Sequence, residues 1–557
     1  MSSVLSLLSP RDAQRYYEQG VWQRDTFYSL LWRHAAERPR DYALRDARVR
    51  LTWSELLSWV DTVAERLHLD GVRRGQRVSM WLPSRAESVV TLLACARNGY
   101  VCNPSLHQNY TDSEISQLLE RCRSVVLVTQ TGYGADAHRA DIVAAAQALP
   151  FVKGVYSISA ASDRDSRARA YPAADAGLDS SVAADDDPDR IIYLAFTSGT
   201  TGAPKGVMHS HNTLLANGRA MVEDWRHDHR TILLSLSPMS HHIGTVAVEQ
   251  MLAGGLELVV NDPPGGSKPL DWILETGATY VMGVPTHAID VLAEARRRRL
   301  DTIGAVRTFY MAGSPIPREV AQSFLDMGIK PQNIYGMTEN GSHQYTLPTD
   351  DAVTIVETCG RAAKGYETRI FSQENADLEL RAGEVGEIGT RGALLMLGYF
   401  DNQMATEESF NRDGWFMSGD LGTLDAHGCL RFVGRKKDLI IRGGHNIHPA
   451  RLEDLAHRHP AVLKAAAFGV PDERLGEKVC LALIAHAGQS VAANAMLGHL
   501  HAAGLSKYDM PEYFIALDAF PLTASGKILK RELVEWARSG QIRPEAVRWV
   551  DPARKEK

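Results

Sequence analysis

Cysteine is scarce in this chain, and none of it is paired in sequence. Six cysteines are scattered over 557 residues, and no two form a Cys-x-x-Cys pair. That scatter suits free thiols in a reducing compartment and argues against a disulfide scaffold. Long apolar runs are lacking too: nothing approaches the ~20 consecutive apolar residues that a membrane helix needs. The opening stretch MSSVLSLLSPRDAQRYYEQG has only a short apolar segment with no basic start before it, which makes a poor secretion signal. Nor is there a basic excess, since 61 Lys and Arg against 67 Asp and Glu leave a formal net charge of -6. This balance gives no reason to expect a nucleic acid or an anionic membrane as partner. Together these absences make the cytoplasm the expected location.

What is present is ordinary for a globular protein, at 44% hydrophobic and 23% charged residues. A single core stops growing at roughly 250–300 residues, so at least two domains are expected. The first third alternates helical and strand patterns. Residues 52–69 and 86–98 read as helices, and 77–82 and 124–130 as strands, an order that predicts a largely parallel, covered sheet. Residues 159–190, rich in Ser, Ala and Asp, read as a loop. The run IIYLAF at 191–196 reads as a buried strand. Beyond Gly434 the pattern becomes a small α+β module with strands expected at 465–470 and 479–485. The chain shows no internal repeat. The basic run at 296–299 reads as a solvated helix end rather than a phosphate patch, because cations suit the negative end of a helix.

The strand IIYLAF runs into TSGTTGAPKG, Thr197 to Gly206. Three glycines let the backbone fold around an anion, hydroxyls and amides donate hydrogen bonds, and Lys205 supplies a point charge. The spacing is not that of a Walker A loop, because no Ser or Thr follows Lys205. Four more segments follow in order: FYMAGSPIP at 309–317, NIYGMTEN at 333–340, DGWFMSGDLG at 413–422 and GRKKDLIIRGGHNIHPARLE at 434–453. In NIYGMTEN, Tyr335 can stack on a purine, Gly336 permits a close backbone approach to a ligand, Thr338 can bond a phosphate oxygen, and Glu339 offers the hard oxygen that Mg²⁺ prefers. A final segment, PLTASGKILKREL, spans 521–533.

This series resembles the signature of the adenylate-forming superfamily, which includes acyl- and aryl-CoA ligases, the adenylation domains of peptide synthetases and firefly luciferase. The resemblance covers nearly the whole chain. It implies an α/β fold, with a large N-terminal domain of layered α/β sheets (1–434) and a small mobile α+β C-terminal domain (435–557). By resemblance Thr197, Ser198, Gly199, Thr200, Thr201, Gly202 and Lys205 bind phosphate. Gly313, Ser314 and Pro315 lie along the adenine, with Asn333, Tyr335 and Gly336 beside it. Asp420 holds the ribose hydroxyls and Arg435 binds ribose and phosphate. Lys437 is the hinge, Gly443 and Gly444 line the coenzyme A thiol tunnel, and Lys527 is the catalytic lysine.

The implied reaction uses ATP, Mg²⁺ and coenzyme A. A substrate carboxylate attacks the α-phosphate, and a thiol then attacks the acyl-adenylate. Lys205 and Lys527 are expected to stay protonated, and Glu339 to hold the metal. The small domain presents Lys527 in one pose and the glycine loop in the other.

The twenty histidines include close pairs, but none has Cys or acidic neighbours at zinc-finger spacing. In SPMSHHIGT, His241 matches the family position beside the substrate carboxylate, although a His capping the following helix is the plain alternative. The acid pocket is expected from His242, Gly244, Val284, Met337 and His343. This mixture suits a ring or short branched acid, and no acidic residue stands where it would hold a substrate ammonium. With GGHNIHP, the segment NPSLHQNYT at 103–111 resembles ligases of the cyclohexanecarboxylate-CoA type. Thr338, Glu339, His241 and Lys527 are thus the candidate catalytic residues. Two rival readings stay open: an adenylating enzyme that passes its acyl group to a carrier protein or separate thiolation partner, and an inactive nucleotide-binding regulator.

Overall fold

The computed structural model describes residues 5–139, 141–160, 162–174, 181–197, 204–265, 267–523 and 526–549. Local signals set the early elements. Thr52 caps the helix Trp53–Leu69 by accepting from the Glu55 amide, and Glu55 Oε2 accepts from the Thr52 amide at 2.8 Å. Such a reciprocal box satisfies two of the amides a helix start leaves unpaired. The helix Ala86–Asn98 is buried on every face and ends at Gly99, whose φ is +67°. A helix with no solvated face needs cover on all sides. The sequence supplies that cover as two sheets.

A seven-stranded sheet runs Arg169–Ala170, Gly154–Ser157, Ser124–Thr129, Arg77–Trp81, Val101–Asn103, Ile191–Thr197, Lys205–Ser210. A nine-stranded sheet has at its centre the parallel neighbours Lys330–Met337, Thr308–Met311, Tyr280–Gly283 and Ile232–Ser235. Between the two sheets lie Ala86–Asn98, His211–Trp225 and His242–Gly254, and their apolar side chains merge with both sheets in one core. A four-stranded antiparallel sheet (Tyr366–Phe371, Gly386–Gly392, Phe416–Leu424, Leu430–Arg435) follows.

The chain then crosses a single turn of 3₁₀ helix, Lys436–Asp438, into a separate small sheet that begins at Ile440–Arg442. The crossing lies just past the expected 434/435 boundary, because Arg435 closes the last strand of the large part. The small sheet is dominated by the antiparallel pair Val462–Asp472 and Gly476–Ala485, with its own apolar core. The basic run at 296–299 ends the helix Pro285–Arg297, where Arg297 and Arg298 pair with Glu294 and Asp271.

Candidate active site

Four adjacent parallel strands of the nine-stranded sheet point the same way, and the loops leaving their carboxyl ends carry the candidate residues. Ile232–Ser235 leads to His241, Tyr280–Gly283 to Val284, Thr308–Met311 to Gly313, Ser314 and Pro315, and Lys330–Met337 to Thr338 and Glu339. Ligands of open α/β sheets bind at this edge.

One side of the site is built on Asp420. It is the register partner of Arg435 on the antiparallel pair Phe416–Leu424 and Leu430–Arg435. Arg435 Nε stands 3.3 Å from Asp420 Oδ1, and the Tyr335 hydroxyl donates to Oδ2 at 3.1 Å. Burial raises the Asp420 carboxyl above its ordinary range, while Arg435 and Tyr335 oppose the rise. The Tyr335 ring packs 6.0 Å from Phe432 and edge-on to His343 at 5.4 Å. Asn333, two residues earlier on the same strand, donates its amide to the Ile355 carbonyl. Gly336 is forced by the protein itself. A Cβ there would stand 2.0 Å from the Gly341 carbonyl oxygen, where the strand turns back on its partner. The close approach expected at Gly336 is therefore to the chain's own backbone.

The phosphate side is framed by Thr197 and Lys205, register partners on an antiparallel pair. Ser198, Gly199, Thr200, Thr201 and Gly202, which connect them, lie outside the described residues. Lys205 Nζ sits 4.7 Å from the Tyr399 ring centroid, and the Tyr399 hydroxyl donates to Glu339 Oε1 at 2.9 Å. Burial pushes the Glu339 carboxyl up, against the Tyr399 hydrogen bond and the charges of Lys205 and Arg435. The Thr338–Glu339 turn is pinned by three bonds. His209 Nε2 lies 2.7 Å from the Thr338 carbonyl, Met396 N donates to the Glu339 carbonyl at 2.7 Å, and Met337 N donates to Asn340 Oδ1 at 3.0 Å. Mg²⁺ is usually held by one or two carboxylates plus substrate phosphates. One fixed carboxylate beside a lysine fits that donor set.

The small domain closes the site from above with Lys527. Its backbone N–H donates to Thr523 Oγ1 at 3.0 Å and its carbonyl accepts from the Thr523 amide at 2.8 Å, which shapes a tight turn. Ala524 and Ser525 of that turn lie outside the described residues. The lysine stem lies against Gly313, φ +92°, where an added Cβ would come within 2.9 Å of Lys527 Cε. Thr286 Oγ1 donates to the Gly526 carbonyl at 2.8 Å. Val284 supports both glycines, at 3.5 Å from a Cβ on Gly313 and 3.3 Å from one on Gly526. Burial pushes Lys527 down to about 8, helped by Arg435 and opposed by Asp420 and Glu339. The lysine expected to stay protonated is thus desolvated before any anion arrives, and a bound triphosphate would favour its charged form.

His241 caps the helix His242–Gly254, its Nδ1 accepting from the Ile243 amide at 3.3 Å. With Nδ1 engaged as an acceptor, the ring proton sits on Nε2. Burial holds the imidazole well below its ordinary value, and Lys527, His107, His242 and His287 add to the effect. His242 stacks on His209 at 5.6 Å and reaches the Tyr193 hydroxyl at 3.1 Å, with its imidazole pushed down to about 3 by burial. Gly244 lets the helix start press on its own entry loop, since a Cβ would meet Pro238 O and Met239 Cα at 2.9 Å. Met337 packs between two apolar clusters. His343 is wedged between Tyr335 and Tyr366, with ring centroids at 5.4 and 4.7 Å.

Lys437 lies in the 3₁₀ crossing. Gly443 and Gly444 form the exposed turn between Ile440–Arg442 and His445–Ile447, with φ of +57° and +83°. Gly443 donates its amide to Leu475 of the same small domain at 2.7 Å, so this loop is not the part that faces Gly313. Sequence reasoning missed four residues: His107, whose Nδ1 is 3.0 Å from Ser240 Oγ, His209, His287, whose Nδ1 accepts from Val284 N at 3.3 Å, and Tyr399. His107 lay in the segment 103–111 and His209 among the paired histidines, while His287 and Tyr399 lay in no segment singled out.

Residues 31–400 match the AMP-binding enzyme family, and residues 451–527 match the AMP-binding enzyme C-terminal domain. The chain is 28% identical to the medium-chain fatty-acid–CoA ligase of Escherichia coli (strain K12), over 92% of this chain and 91% of that one. It is 31% identical to the mitochondrial medium-chain acyl-CoA ligase ACSF2 of Bos taurus, over 87% and 83%. Among solved structures, ATP-bound MatB from Rhodopseudomonas palustris is 27% identical, covers 93% of this chain and 100% of its own, and superposes with a TM-score of 0.81. With two thirds of its length matched by the family's main domain, the chain belongs to the AMP-binding enzyme family, the adenylate-forming superfamily.

Proposed function

We propose that this protein is an AMP-forming acid:CoA ligase that activates a cyclic or short- to medium-chain aliphatic monocarboxylate. The observation that carries the reading is the seating of Lys527 against Gly313, over a site whose other walls are Asp420–Arg435–Tyr335 and Lys205–Tyr399–Glu339. These groups are what joining two anions requires. The substrate carboxylate attacks the α-phosphorus of ATP, and the bond to the leaving pyrophosphate breaks. Lys527 and Lys205 offset the charge that builds on the transferring and leaving oxygens. Mg²⁺ on Glu339 would add further charge neutralisation at the phosphates. Asp420 and Arg435 hold the nucleoside, and His241, through Nε2–H, orients the acid. No protein nucleophile is needed.

In the second step a thiol sulfur attacks the acyl carbonyl and AMP leaves. The relatives named as CoA ligases support coenzyme A as the acceptor. Domain rotation about Lys437, bringing Gly443 and Gly444 to the site, belongs to this proposal. The test is ATP-to-AMP turnover over alicyclic, aromatic, medium-chain and long-chain acids, with and without coenzyme A. The reading expects acyl-CoA from a cyclic or short- to medium-chain acid. Acyl-adenylate formed from activated acids but never converted to acyl-CoA would favour the partner-dependent adenylating enzyme, and activity confined to long-chain fatty acids or amino acids would overturn the substrate class.

A further inference from the structure

The helix that starts at His241 carries a polar stripe through an otherwise apolar core. His242, Thr245 and Glu249 lie three and four residues apart, on one face. All three are buried, and Glu249 is 0% exposed. The upper two are partnered. Tyr193 OH lies 3.1 Å from His242 Nδ1 and 3.4 Å from Thr245 Oγ1. Glu249 is not, and neither carboxyl oxygen has a hydrogen-bond partner among the described residues. Its backbone is pressed by the neighbouring helix, where a Cβ on Gly218 would stand 2.6 Å from the Glu249 carbonyl carbon. Its side chain is close enough to Tyr193 and Tyr310 to raise both phenols further. Tyr310 OH pairs with Ser342 Oγ at 2.7 Å. Phenols on two strands thus lie within electrostatic reach of an unpartnered carboxyl, and no cation pairs with it among the described residues.

Leaving a carboxyl unpaired in a core costs more than almost any other side-chain choice. Leucine would fill the same space without that cost. We propose that the acid-binding site extends along this helix to Glu249, that Glu249 is a specificity-determining residue at its far end, and that the preferred acid carries a hydroxyl at its distal end. The proposal rests on the acid-activating function above. Burial keeps the free carboxyl protonated by pushing it well above the ordinary range. A neutral carboxyl and an alcohol complete each other: the alcohol donates to the carbonyl oxygen and accepts from the acid O–H. One ligand group therefore satisfies both orphaned oxygens. The length follows from the helix. Seven residues from His242 to Glu249 rise about 10 Å at 1.5 Å per residue. An extended chain advances about 1.2 Å per bond, so the hydroxyl lies roughly eight bonds from the reacting carboxyl.

The test compares octanoate, ω-hydroxyoctanoate and ω-aminooctanoate with the wild type, Glu249→Leu and Glu249→Gln, scoring kcat/KM for acid-dependent AMP formation. The wild type should prefer the hydroxy acid over octanoate by about 10- to 100-fold, mostly through KM, the range for two hydrogen bonds to a buried acid. Glu249→Leu should abolish or reverse that preference while melting no lower than wild type, because it removes an unpaired buried group. Glu249→Gln should keep the preference, since an amide can also donate and accept. Equal use of the two acids by the wild type, or an unchanged ratio in Glu249→Leu, overturns the assignment. So does a preference for the amino acid, which would mark a cation site, or activity on other acids but on none of these three. If no acid of any kind yields acyl-adenylate, the ligase reading itself falls.

Discussion

Lys527 offers the sharpest check on the chemistry, because its environment fixes both a magnitude and a pH range. The ammonium is enclosed by Gly313 and the large domain, and burial with Arg435 lowers it to about 8. Removing one charge partner of a developing oxyanion typically costs about 10²–10³ in rate, so Lys527→Ala should slow adenylation by that factor. Conversion of supplied acyl-adenylate to acyl-CoA should be unchanged, because in the proposed cycle that step uses the other face of the small domain.

The sign of the pH dependence follows from the same lysine. Only the protonated form stabilises negative charge, so activity is lost as pH rises through about 8. A group at about 8 is about 90% protonated at pH 7 and about 10% protonated at pH 9. In the wild type, kcat/KM for ATP in pyrophosphate exchange should therefore fall about tenfold between those values. Triphosphate binding favours the charged form, so the corresponding limb of kcat should lie higher. Lys527→Ala should show neither limb. A flat wild-type profile from pH 7 to 9, or equal loss of both half-reactions in Lys527→Ala with an unchanged melt, would refute the assignment.

Three other substitutions probe different contacts. Thr286→Val removes the hydroxyl that bonds the Gly526 carbonyl at 2.8 Å; one such bond is worth about 1 kcal/mol, so adenylation should slow about fivefold while thioester formation from acyl-adenylate holds. Gly443→Ile places a branched side chain at φ +57°, a backbone cost of about 1–2 kcal/mol; pyrophosphate exchange should stay near normal while acyl-CoA output drops at least tenfold, with a thermal melt to exclude unfolding. Gly336→Ala drives a Cβ to 2.0 Å from the Gly341 carbonyl and should lower the melting temperature and abolish both half-reactions together, an outcome refuted by a variant that melts normally.

Much of this architecture was legible because its signals are local. The helices read at 52–69 and 86–98 rest on the periodicity of adjacent residues, and the structure has them at Trp53–Leu69 and Ala86–Asn98. The nucleotide-binding segments were legible because each packs several functional residues into a short turn. What escaped was long-range pairing. Tyr399 meets Glu339 across 60 residues and His209 meets Thr338 across 129, and a single Tyr or His in a strand or turn carries no period that betrays its partner. Gly336 shows a subtler limit. The sequence says that a side chain is not tolerated there, but not whether ligand or backbone occupies the space.

The contacts that hold Lys527 in place also explain why it need not stay there. Besides Thr286 and Gly526, the domains are linked among the described residues by Leu463, partly buried against a large-domain core cluster, by Lys464 and Asp290 at 2.8 Å, with the aspartate half exposed, and by Arg458 and Glu319 at 3.7 Å. Ion pairs at such surfaces are worth about 0–1 kcal/mol each, and the single buried-edge hydrogen bond about 1 kcal/mol more. A pose secured by so little differs from its alternatives by only a few kcal/mol, the range in which a ligand can reverse a population. The anchoring of the crossing limits where the motion occurs. Lys436 is fixed to Glu387 and the Gln373 carbonyl at 3.0 Å on the large domain, and Ile440 already belongs to the small sheet. Any rotation must therefore be absorbed between Lys437 and Leu439, three residues of which the first is the hinge candidate. Lys527 is drawn to the site by the charge of ATP and its transition state. In the proposed cycle that attraction weakens once pyrophosphate has left while the latches remain slight, so the domain would be released at the point where the thiol must enter.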